Sequence, residues 1–201
     1  MRDQILKRQE GHVNDILKNA SVSILGCGGL GSNIAMTLAR VGVGNIYIYD
    51  FDTVEHSNLN RQNYNVSDLG KSKVLKTKEK IKEAIPYAKV YGEEVFITWD
   101  VLDDISKRTD IFIEAFDKKE MKKLVFDYFL GKPGKRLVMA SGVSGLGDLD
   151  DIKIKNIDNV TMIGNFTTTP DQGLYSPFIG IISNLEALSA VKIIVGEEDG
   201  K

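Results

Sequence analysis

The fold is decided by a stretch that reads Ser21-Val22-Ser23-Ile24-Leu25 and runs directly into Gly26-Cys27-Gly28-Gly29-Leu30-Gly31. A short apolar run that feeds into closely spaced glycines is typical of a strand followed by a tight turn. Apolar residues then recur at the spacing of one helix face, at Leu30, Ile34, Leu38 and Val41. The order of strand, glycine turn and helix predicts the start of a nucleotide-binding βαβ unit.

Four glycines form the turn, and three of them make a motif. Gly26, Gly28 and Gly31 match G-x-G-x-x-G, and Gly29 lies beside them. The missing side chains permit the tight turn, the approach of backbone to a phosphate and close packing of helix on strand. The following helix presents free N–H groups to an anion. A glycine motif of this kind does not identify the nucleotide.

A second buried strand, residues 46–50, ends on the carboxylate of Asp50. Asp50 lies 19 residues after Gly31, where such units place the acid that holds the ribose hydroxyls. The chain stays polar and charged through Gln62, and Lys73 falls in the first turn of the next predicted helix, residues 71–84. A lysine so early in a helix is mildly unfavourable because of the helix dipole, which favours a ligand anion for Lys73.

The density of positive charge after Asp50 separates two kinds of nucleotide. A dinucleotide has one pyrophosphate to neutralise, whereas a triphosphate needs more positive charge. Arg61 and Lys73 follow within a short stretch, and we expect both side chains to face solvent. The pair therefore favours a triphosphate over a nicotinamide dinucleotide.

Three features together resemble one superfamily. They are the glycine loop, the run Asp-x-Asp-x-Val-x-x-Ser-Asn-Leu-x-Arg-Gln at residues 50–62, and Lys73. With them the sequence resembles the ubiquitin-activating-enzyme-like superfamily, in its small bacterial branch of ThiF-, MoeB- and HesA-like adenylyltransferases. The resemblance covers nearly the whole chain and is loosest in the C-terminal third.

The resemblance implies an activity, cofactors and partners. The enzyme would use ATP and Mg²⁺ to activate the C-terminal Gly-Gly carboxylate of a small ubiquitin-like sulfur carrier protein, similar to ThiS, as an acyl-adenylate with release of pyrophosphate. Thiamin biosynthesis is the expected pathway, and a molybdopterin or other thiolation route is the alternative. A homodimer and a separate sulfur donor protein are expected partners.

The resemblance also implies roles for individual residues. Catalysis is expected from Arg61, Lys73, Asp117 and Arg8, the last as an N-terminal arginine that reaches the nucleotide of the partner subunit. Asp117 is the expected magnesium ligand. Nucleotide contacts are expected from Gly26, Gly28, Gly29, Gly31, Asp50, Asp52, Asn58, Arg61, Gln62 and Lys73.

Asp117 has a second interpretation. It follows the predicted strand at residues 110–115 and opens a predicted helix from Lys118 to about Leu130, so it can be an N-cap without any function. Its position at a strand end is also where ligands bind in an open α/β sheet. The resembled family usually has Asn after this aspartate, and Lys118 stands there instead.

The remaining pattern predicts an α/β fold of Rossmann-like type, with three layers and a mainly parallel central sheet extended by antiparallel strands. We expect a single domain over residues 1–201: an N-terminal helix at 1–18, a Rossmann-like core at 19–147, and a C-terminal part at 148–201. The last part should hold a hairpin of strands 151–155 and 160–164, a crossover loop, and a helix from Pro177 to Val195. Residues 142–147 read as a bend or as a second phosphate loop, and residues 165–176 as a cover for a partner's tail or a plain surface loop.

The C-terminal helix is the sequence-level reason to expect a dimer. Its apolar residues occupy more of the circumference than one core face requires. Ile181, Ile182, Leu185 and Leu188 cannot all face one sheet, so a two-fold partner should bury some of them.

Composition bounds the other possibilities. With 42% hydrophobic and 27% charged residues and a formal net charge of −2, the chain has no global field that favours nucleic acid or an anionic membrane. No apolar run approaches the roughly 20 residues that span a bilayer, and the polar start is no signal peptide, so we expect a cytoplasmic protein. The single cysteine, Cys27, excludes an internal disulfide and a Cys-rich zinc site.

Two other classes of function stay open. A nicotinamide-dependent oxidoreductase shares the first βαβ unit, although Arg61 and Lys73 would then be idle. A catalytically silent binding subunit is the second, although such a subunit has no need of Arg61, Lys73 and Asp117. Cys27 can be a reactive thiol at a helix N-terminus or a small side chain in a packed loop.

Overall fold

The computed structural model describes residues 1–168 and 170–196. Its strands are β1 Ser21–Leu25, β2 Asn45–Asp50, β3 Lys89–Glu94, β4 Ile111–Glu114, β5 Arg136–Ala140, β6 Lys153–Ile157 and β7 Val160–Gly164. Its α-helices are α1 Arg2–Ile5, α2 Gly11–Asn19, α3 Gly31–Val41, α4 Lys73–Ala84, α5 Trp99–Ile105, α6 Lys119–Phe129 and α7 Ser176–Val195. Short 3₁₀ turns lie at His56–Asn58, Val66–Asp68, Leu149–Asp151 and Pro170–Gln172.

The seven strands form one sheet in the order β3-β2-β1-β4-β5-β7-β6. The pairs from β3 through β7 are parallel, and β6 runs antiparallel to β7 at the edge. The predicted Rossmann-like α/β class is therefore confirmed. The hairpin adds only one antiparallel strand, because β7 lies between β5 and β6 and runs parallel to β5.

Side chains of the central strands alternate between two apolar cores, one on each face of the sheet. Ile24 of β1 and Ile113 of β4 belong to the core under α3, α4 and α7. Leu25 and Phe112, their neighbours in sequence, belong to the core under α5 and α6. The three layers predicted from sequence are thus helices, sheet and helices.

The strand order reverses between β1 and β4. From β1 the chain proceeds outward to β2 and β3 on one side, and β4 continues outward to β5 on the other. At such a switch point the connections leave in opposite directions, so a crevice opens at the carboxyl ends of the two strands. The glycine turn after β1 and the segment that carries Asp117 after β4 therefore meet there.

Two helix boundaries differ from the predictions. The N-terminal helix expected at residues 1–18 is two helices, because Gly11 begins α2 and residues 6–10 separate it from α1. Helix α6 begins at Lys119 with Lys118 as its N-cap, so Asp117 lies one residue outside the cap. The interpretation of Asp117 as an N-cap is wrong. Residues 142–147 lead into a 3₁₀ turn and then β6, as expected for a bend.

Helix α7 corrects the expectation that no segment has the length and apolarity of a membrane span. Its 20 residues pass that test on length and composition. However, 44% of the apolar window is buried inside the fold, where Phe178, Ile182 and Ala187 pack on the sheet. Core helices of globular proteins pass the same test, so the result is weak evidence for a membrane span.

Candidate active site

A cleft of about 380 Å³ opens at the carboxyl ends of β1, β2 and β4. Most of the residues predicted from sequence line it: Gly26, Gly28, Gly29, Asp50, Asp52, Arg61, Gln62, Lys73 and Asp117. Gly31, Asn58 and Arg8 are not among the lining residues. The structure therefore brings nine of the predicted residues together and places three elsewhere.

Gly31 has a packing role in the glycine turn. A Cβ on Gly31 would lie 1.8 Å from the carbonyl oxygen of Gly26, so only glycine lets α3 approach the turn this closely. Gly26 itself has a φ of 107°, a left-handed conformation that glycine adopts without strain. Gly28 and Gly29 line the cleft together with Gly26.

Asp50 ties the glycine turn to the end of β2. Its Oδ2 accepts a hydrogen bond from the Cys27 amide at 2.5 Å, and its Oδ1 accepts one from the Asp52 amide at 2.8 Å. Burial raises the pKa of this carboxyl, and the two amide hydrogen bonds oppose the rise. Each carboxylate oxygen has a second lone pair, so both can still accept a ribose hydroxyl.

Lys73 does not face solvent, contrary to the sequence-based expectation. Its side chain is 7% exposed, and its Nζ lies 2.9 Å from Oδ2 of Asp52. The Lys73 amide also donates to the Asp52 carbonyl, and Thr53 pairs with Ser72, so the start of α4 is held against the segment after β2. These contacts place the ammonium at the cleft wall rather than in solution.

Arg61 is half-buried over the glycine loop, so the expectation that it faces solvent holds only in part. Its guanidinium donates to the Ser57 carbonyl at 2.8 Å and to Oδ1 of Asn60 at 2.9 Å. Desolvation lowers the pKa of Arg61, and the carboxylate of Asp117 opposes this effect. The loop around residues 57–61 therefore holds the guanidinium beside the cleft before any ligand binds.

Asn58 is buried beneath that loop. Its Oδ1 accepts a hydrogen bond from the Glu55 amide at 3.0 Å, which caps the 3₁₀ turn His56–Asn58. Its contact with phosphate stays a prediction, while the structure gives it a part in shaping the loop that carries Arg61. Sequence alone could not separate these roles, because an amide side chain three residues before Arg61 suits both a phosphate contact and a turn cap.

Gln62 presents an acceptor without a partner. The residue is 8% exposed and lines the cleft, and among residues 1–168 and 170–196 its Oε1 finds no hydrogen-bond partner. An unpaired buried acceptor costs free energy, which a donor on a bound molecule would recover. Gln62 is therefore suited to contact a ligand through a side chain already directed at the cleft.

Asp117 is exposed at the end of β4. In the part of the chain that the structure describes, its carboxylate makes no hydrogen bond or ion pair, and no group of three or more His, Cys, Asp or Glu side chains could hold a metal. Mg²⁺ at nucleotide sites is typically held by one or two carboxylates together with substrate phosphates and water. A single free carboxylate beside a phosphate-sized cleft fits that ligand set.

Arg8 is exposed, and its segment is fixed at the other end of the sheet. Leu6 packs against Gly42, and Arg2 donates to the Gly42 carbonyl at 3.1 Å, just before β2 begins. The cleft lies at the opposite, carboxyl ends of the strands. Arg8 therefore does not contribute to the cleft of its own chain.

Sequence reasoning missed an aromatic wall. Phe51 and Phe96 line the cleft with ring centroids 5.0 Å apart, and both remain about half exposed. Aromatic faces of this kind suit a flat apolar group such as a nucleobase. A sequence signal for the wall exists, because both phenylalanines follow closely on strands that end at the cleft.

Cys27 is fully buried in the glycine turn. Burial raises the pKa of its thiol far above the ordinary value, and the nearby carboxylate of Asp50 adds to the effect. Since the thiolate is the reactive form, the thiol is inert as a nucleophile. This agrees with the interpretation of Cys27 as a small side chain in a packed loop.

A parallel sheet with a glycine turn, a buried acid after β2 and two cations in one cleft defines a nucleotide-binding α/β protein of Rossmann-like type. The comparison with family models is more specific. The ThiF family model matches residues 3–201, and the chain belongs to the ThiF family.

The curated relatives that the chain resembles are named as adenylyltransferases and sulfurtransferases. The chain is 32% identical over 192 residues to "Adenylyltransferase and sulfurtransferase MOCS3" of Dictyostelium discoideum, covering 92% of this chain and 45% of that protein. It is 30% identical over 202 residues to "Adenylyltransferase and sulfurtransferase uba4" of Aspergillus niger, covering 90% and 41%. The chain thus spans less than half the length of these relatives.

Solved structures show the same fold. The tRNA N6-threonylcarbamoyladenosine dehydratase TcdA of E. coli aligns with a TM-score of 0.86 at 21% identity, over 96% of this chain and 93% of that one. E. coli MccB, solved with ATP, aligns with a TM-score of 0.75 at 25% identity, over 92% of this chain and 59% of that one.

Proposed function

We propose that the protein is an ATP-dependent adenylyltransferase. Its substrate would be the C-terminal Gly-Gly carboxylate of a small ubiquitin-like sulfur carrier protein, which it converts to an acyl-adenylate in the cytoplasm. The observation that carries the proposal is that Arg61 and Lys73 line the same cleft as the glycine turn and Asp50. Membership of the ThiF family and the names of the relatives support it.

In the proposed reaction the carrier carboxylate attacks the α-phosphate and pyrophosphate leaves. Little covalent chemistry falls to the protein, so positioning and charge neutralisation carry the rate. Asp50 accepts hydrogen bonds from the ribose hydroxyls, and the aromatic wall of Phe51 and Phe96 packs against the base. Arg61 and Lys73 stabilise the charge that builds on the departing pyrophosphate.

Asp117 would hold Mg²⁺ through its free carboxylate. When bound, the ion would neutralise phosphate charge and orient the triphosphate. Because the Lys73 ammonium is paired with Asp52, a triphosphate that approaches this ammonium competes with the Asp52 carboxylate. The side chain of Asp52 is 49% exposed, so it can rotate toward solvent and leave Lys73 free for phosphate.

The 201 residues of this chain hold a single thiol. Cys27 is the only cysteine, and its thiol is buried and inert, so this chain offers no thiol that could capture the activated carrier. We propose a sulfur donor outside this domain as the group that completes the transfer. Thiamin biosynthesis is the pathway we propose, and a molybdopterin or other thiolation route is the second, favoured by the relatives named as sulfurtransferases.

We also propose a symmetric homodimer. On α7, Ile182 is buried, whereas Ile181 and Leu188 are 38% and 50% exposed, so the helix presents apolar residues that its own sheet does not cover. Arg8 is exposed and remote from its own cleft. A two-fold partner would bury the outer face of α7 and is the only route by which Arg8 reaches a cleft.

The test is the exchange of labelled pyrophosphate into ATP, measured with and without a carrier ending in Gly-Gly. Carrier-dependent exchange is expected for the wild type, and Arg61→Ala and Lys73→Ala should each lower it by about 100-fold or more. Lys71→Ala is the matched control, since Lys71 is an exposed cation near Lys73 that does not line the cleft. Wild-type exchange in either cleft variant would refute the mechanism.

The same preparation separates the other two classes of function. An oxidoreductase would be stabilised against heat by NAD and not by ATP with Mg²⁺. A silent binding subunit would bind ATP and show no exchange with any carrier.

A further inference from the structure

A buried carboxylate and a partly buried ammonium lie directly behind the segment that carries Asp117. Glu114 is the last residue of β4 and is fully buried. Its Oε1 accepts a hydrogen bond from the Phe116 amide at 2.7 Å, and its Oε2 lies 2.8 Å from Nζ of Lys122. One carboxylate thus holds both the backbone just before Asp117 and a side chain of α6.

Lys122 connects this carboxylate to a second strand. Its Nζ also donates to the Ala140 carbonyl at 3.0 Å, at the end of β5, and its side chain is 20% exposed. The ammonium therefore joins α6 to the carboxyl ends of β4 and β5. Met121, the preceding residue, lines the cleft. The Glu114–Lys122 pair fixes the outer wall of the cleft from behind.

Removing the Glu114 carboxylate, and most of the Lys122 side chain, from water costs desolvation free energy. Desolvation of a buried pair often exceeds its Coulomb gain, and apolar residues of the same size are frequently as stable. The fixed geometry of the pair is what an apolar replacement would lose. Here that geometry restrains Phe116 and Asp117, both of which line the cleft.

We propose that Glu114 and Lys122 are positioning residues that direct the carboxylate of Asp117 toward the metal–phosphate end of bound ATP. The inference rests on the proposed function, since it takes Asp117 as the magnesium ligand. Neither residue lines the cleft. Both act through the backbone at Phe116 and through the start of α6.

The test uses a variant in which the pair is neutral and similar in size, Glu114→Gln with Lys122→Met, which leaves no unpaired buried charge. The control is Lys123→Met, an exposed lysine on the same helix that pairs with Asp127. Calorimetry would measure the affinity for an ATP analogue as a function of Mg²⁺, and NMR hydrogen exchange would measure the Phe116 amide without nucleotide.

We expect the paired variant to need about 10 to 100 times more Mg²⁺ for the same nucleotide affinity, as is typical when the partners of a metal ligand are removed. The Phe116 amide should exchange faster, and the control should match the wild type. Lys122→Arg, which keeps the charge, should retain most of the wild-type behaviour. An unchanged magnesium dependence in the paired variant would overturn the proposal.

A double-mutant cycle separates positioning from a general loss of stability. On an Asp117→Asn background, the paired variant should cause no further change in the magnesium dependence, because the residue that it positions is already lost. An equal rise in the Mg²⁺ requirement on the wild-type and Asp117→Asn backgrounds would assign the pair a purely structural role and refute the inference. Failure of carrier-dependent pyrophosphate exchange, with the cycle as expected, would refute the proposed substrate and leave the positioning role standing.

Discussion

Two buried acids in this protein have opposite surroundings. Asp50, at the end of β2, accepts backbone hydrogen bonds from Cys27 and Asp52. Glu186, in the middle of α7, is fully buried, and neither of its carboxyl oxygens has a hydrogen-bond partner among the residues that the structure describes. Burial raises the pKa of both groups, but amide hydrogen bonds oppose the rise only at Asp50.

The contrast between Asp50 and Glu186 shows that a buried carboxyl is accommodated where backbone amides donate to it, and is destabilising where no donor reaches it. At the cleft, Asp50 is tied to backbone amides and Lys73 to Asp52, while Oε1 of Gln62, unpartnered within the described part of the chain, faces the space that a ligand would fill. Glu186 is influenced only at longer range, by Lys122, whose charge lowers its pKa, and by Glu114, which raises it. An unpaired carboxyl in an apolar core reduces stability, and desolvation favours its neutral form over its charged form.

Among these predictions, substitution of Asp50 should cause the largest change in nucleotide affinity and stability. In Asp50→Asn, the amide nitrogen cannot accept from a backbone N–H, so one of the two hydrogen bonds is lost and a ribose contact is weakened. We expect ATP affinity to fall about 10- to 100-fold and unfolding free energy to fall by about 1 to 3 kcal/mol. Calorimetry and urea unfolding would measure the two changes; unaltered affinity would remove Asp50 from the nucleotide site.

The second prediction concerns the proposed dimer, in which the exposed face of α7 would contact a partner and Arg8 would reach the partner's cleft. Arg8→Ala and Arg61→Ala subunits are each assayed alone and then mixed under conditions of confirmed subunit exchange. If Arg8 acts across the dimer, one cleft of each mixed dimer carries both lesions and the other carries none. Up to about half of the wild-type exchange activity per mixed dimer should then return.

The absence of recovery in that mixture would mean that Arg8 does not act across the interface. Light scattering provides the independent check, because a monomer at all concentrations would exclude the dimer as well. Leu188→Glu is a further probe, since it places a charge on the exposed face of α7 and should shift the protein toward monomer.

The smallest predicted effect is a gain in stability rather than a loss, and it comes from substituting Glu186. The raised pKa of Glu186 means that its protonated form stabilises the folded state below the ordinary pKa of the carboxyl. This stability is lost as the pH rises toward the folded-state pKa, because only the unfolded chain releases the proton. Glu186→Gln removes the titration and should therefore be more stable than the wild type at pH 8.

The gain from Glu186→Gln should shrink toward pH 4, where both side chains are neutral, and Glu186→Met should add about 1 to 3 kcal/mol by removing the unpaired polar group. Urea midpoints across the pH range would measure both changes. ATP affinity should not change in either variant. A Glu186→Gln protein less stable than wild type at pH 8 would mean that Glu186 has a partner.

Local pattern was sufficient for the sheet and for most of the cleft. The alternation in β1, the glycine turn and the position of Asp50 are set by short-range rules, and strands that end together bring their polar residues to one edge. Gly31 and Asp117 were found in this way, although Gly31 serves packing rather than contact with the nucleotide.

Long-range contacts account for what sequence could not predict. The pairing of Lys73 with Asp52 depends on how α4 docks on the segment after β2. Asn58 is an exception, because the turn that it caps is local and residue type does not separate a cap from a ligand contact. The break between α1 and α2 follows from Leu6 packing against Gly42 rather than from local propensity alone. Glu114 and Lys122 gave no signal, because a charged residue at a strand end and a lysine on a helix are ordinary on a surface.

A cleft that adenylates a protein carboxylate should leave an adenylated carrier as its product. The most direct measurement is intact-mass spectrometry of a carrier ending in Gly-Gly after incubation with this protein, ATP and Mg²⁺ in the absence of a sulfur donor. We expect the carrier to gain the mass of one adenylyl group, with release of an equal amount of pyrophosphate. A carrier that lacks the last glycine should show no change in mass. An unmodified carrier beside a protein that binds ATP would contradict the proposed adenylation.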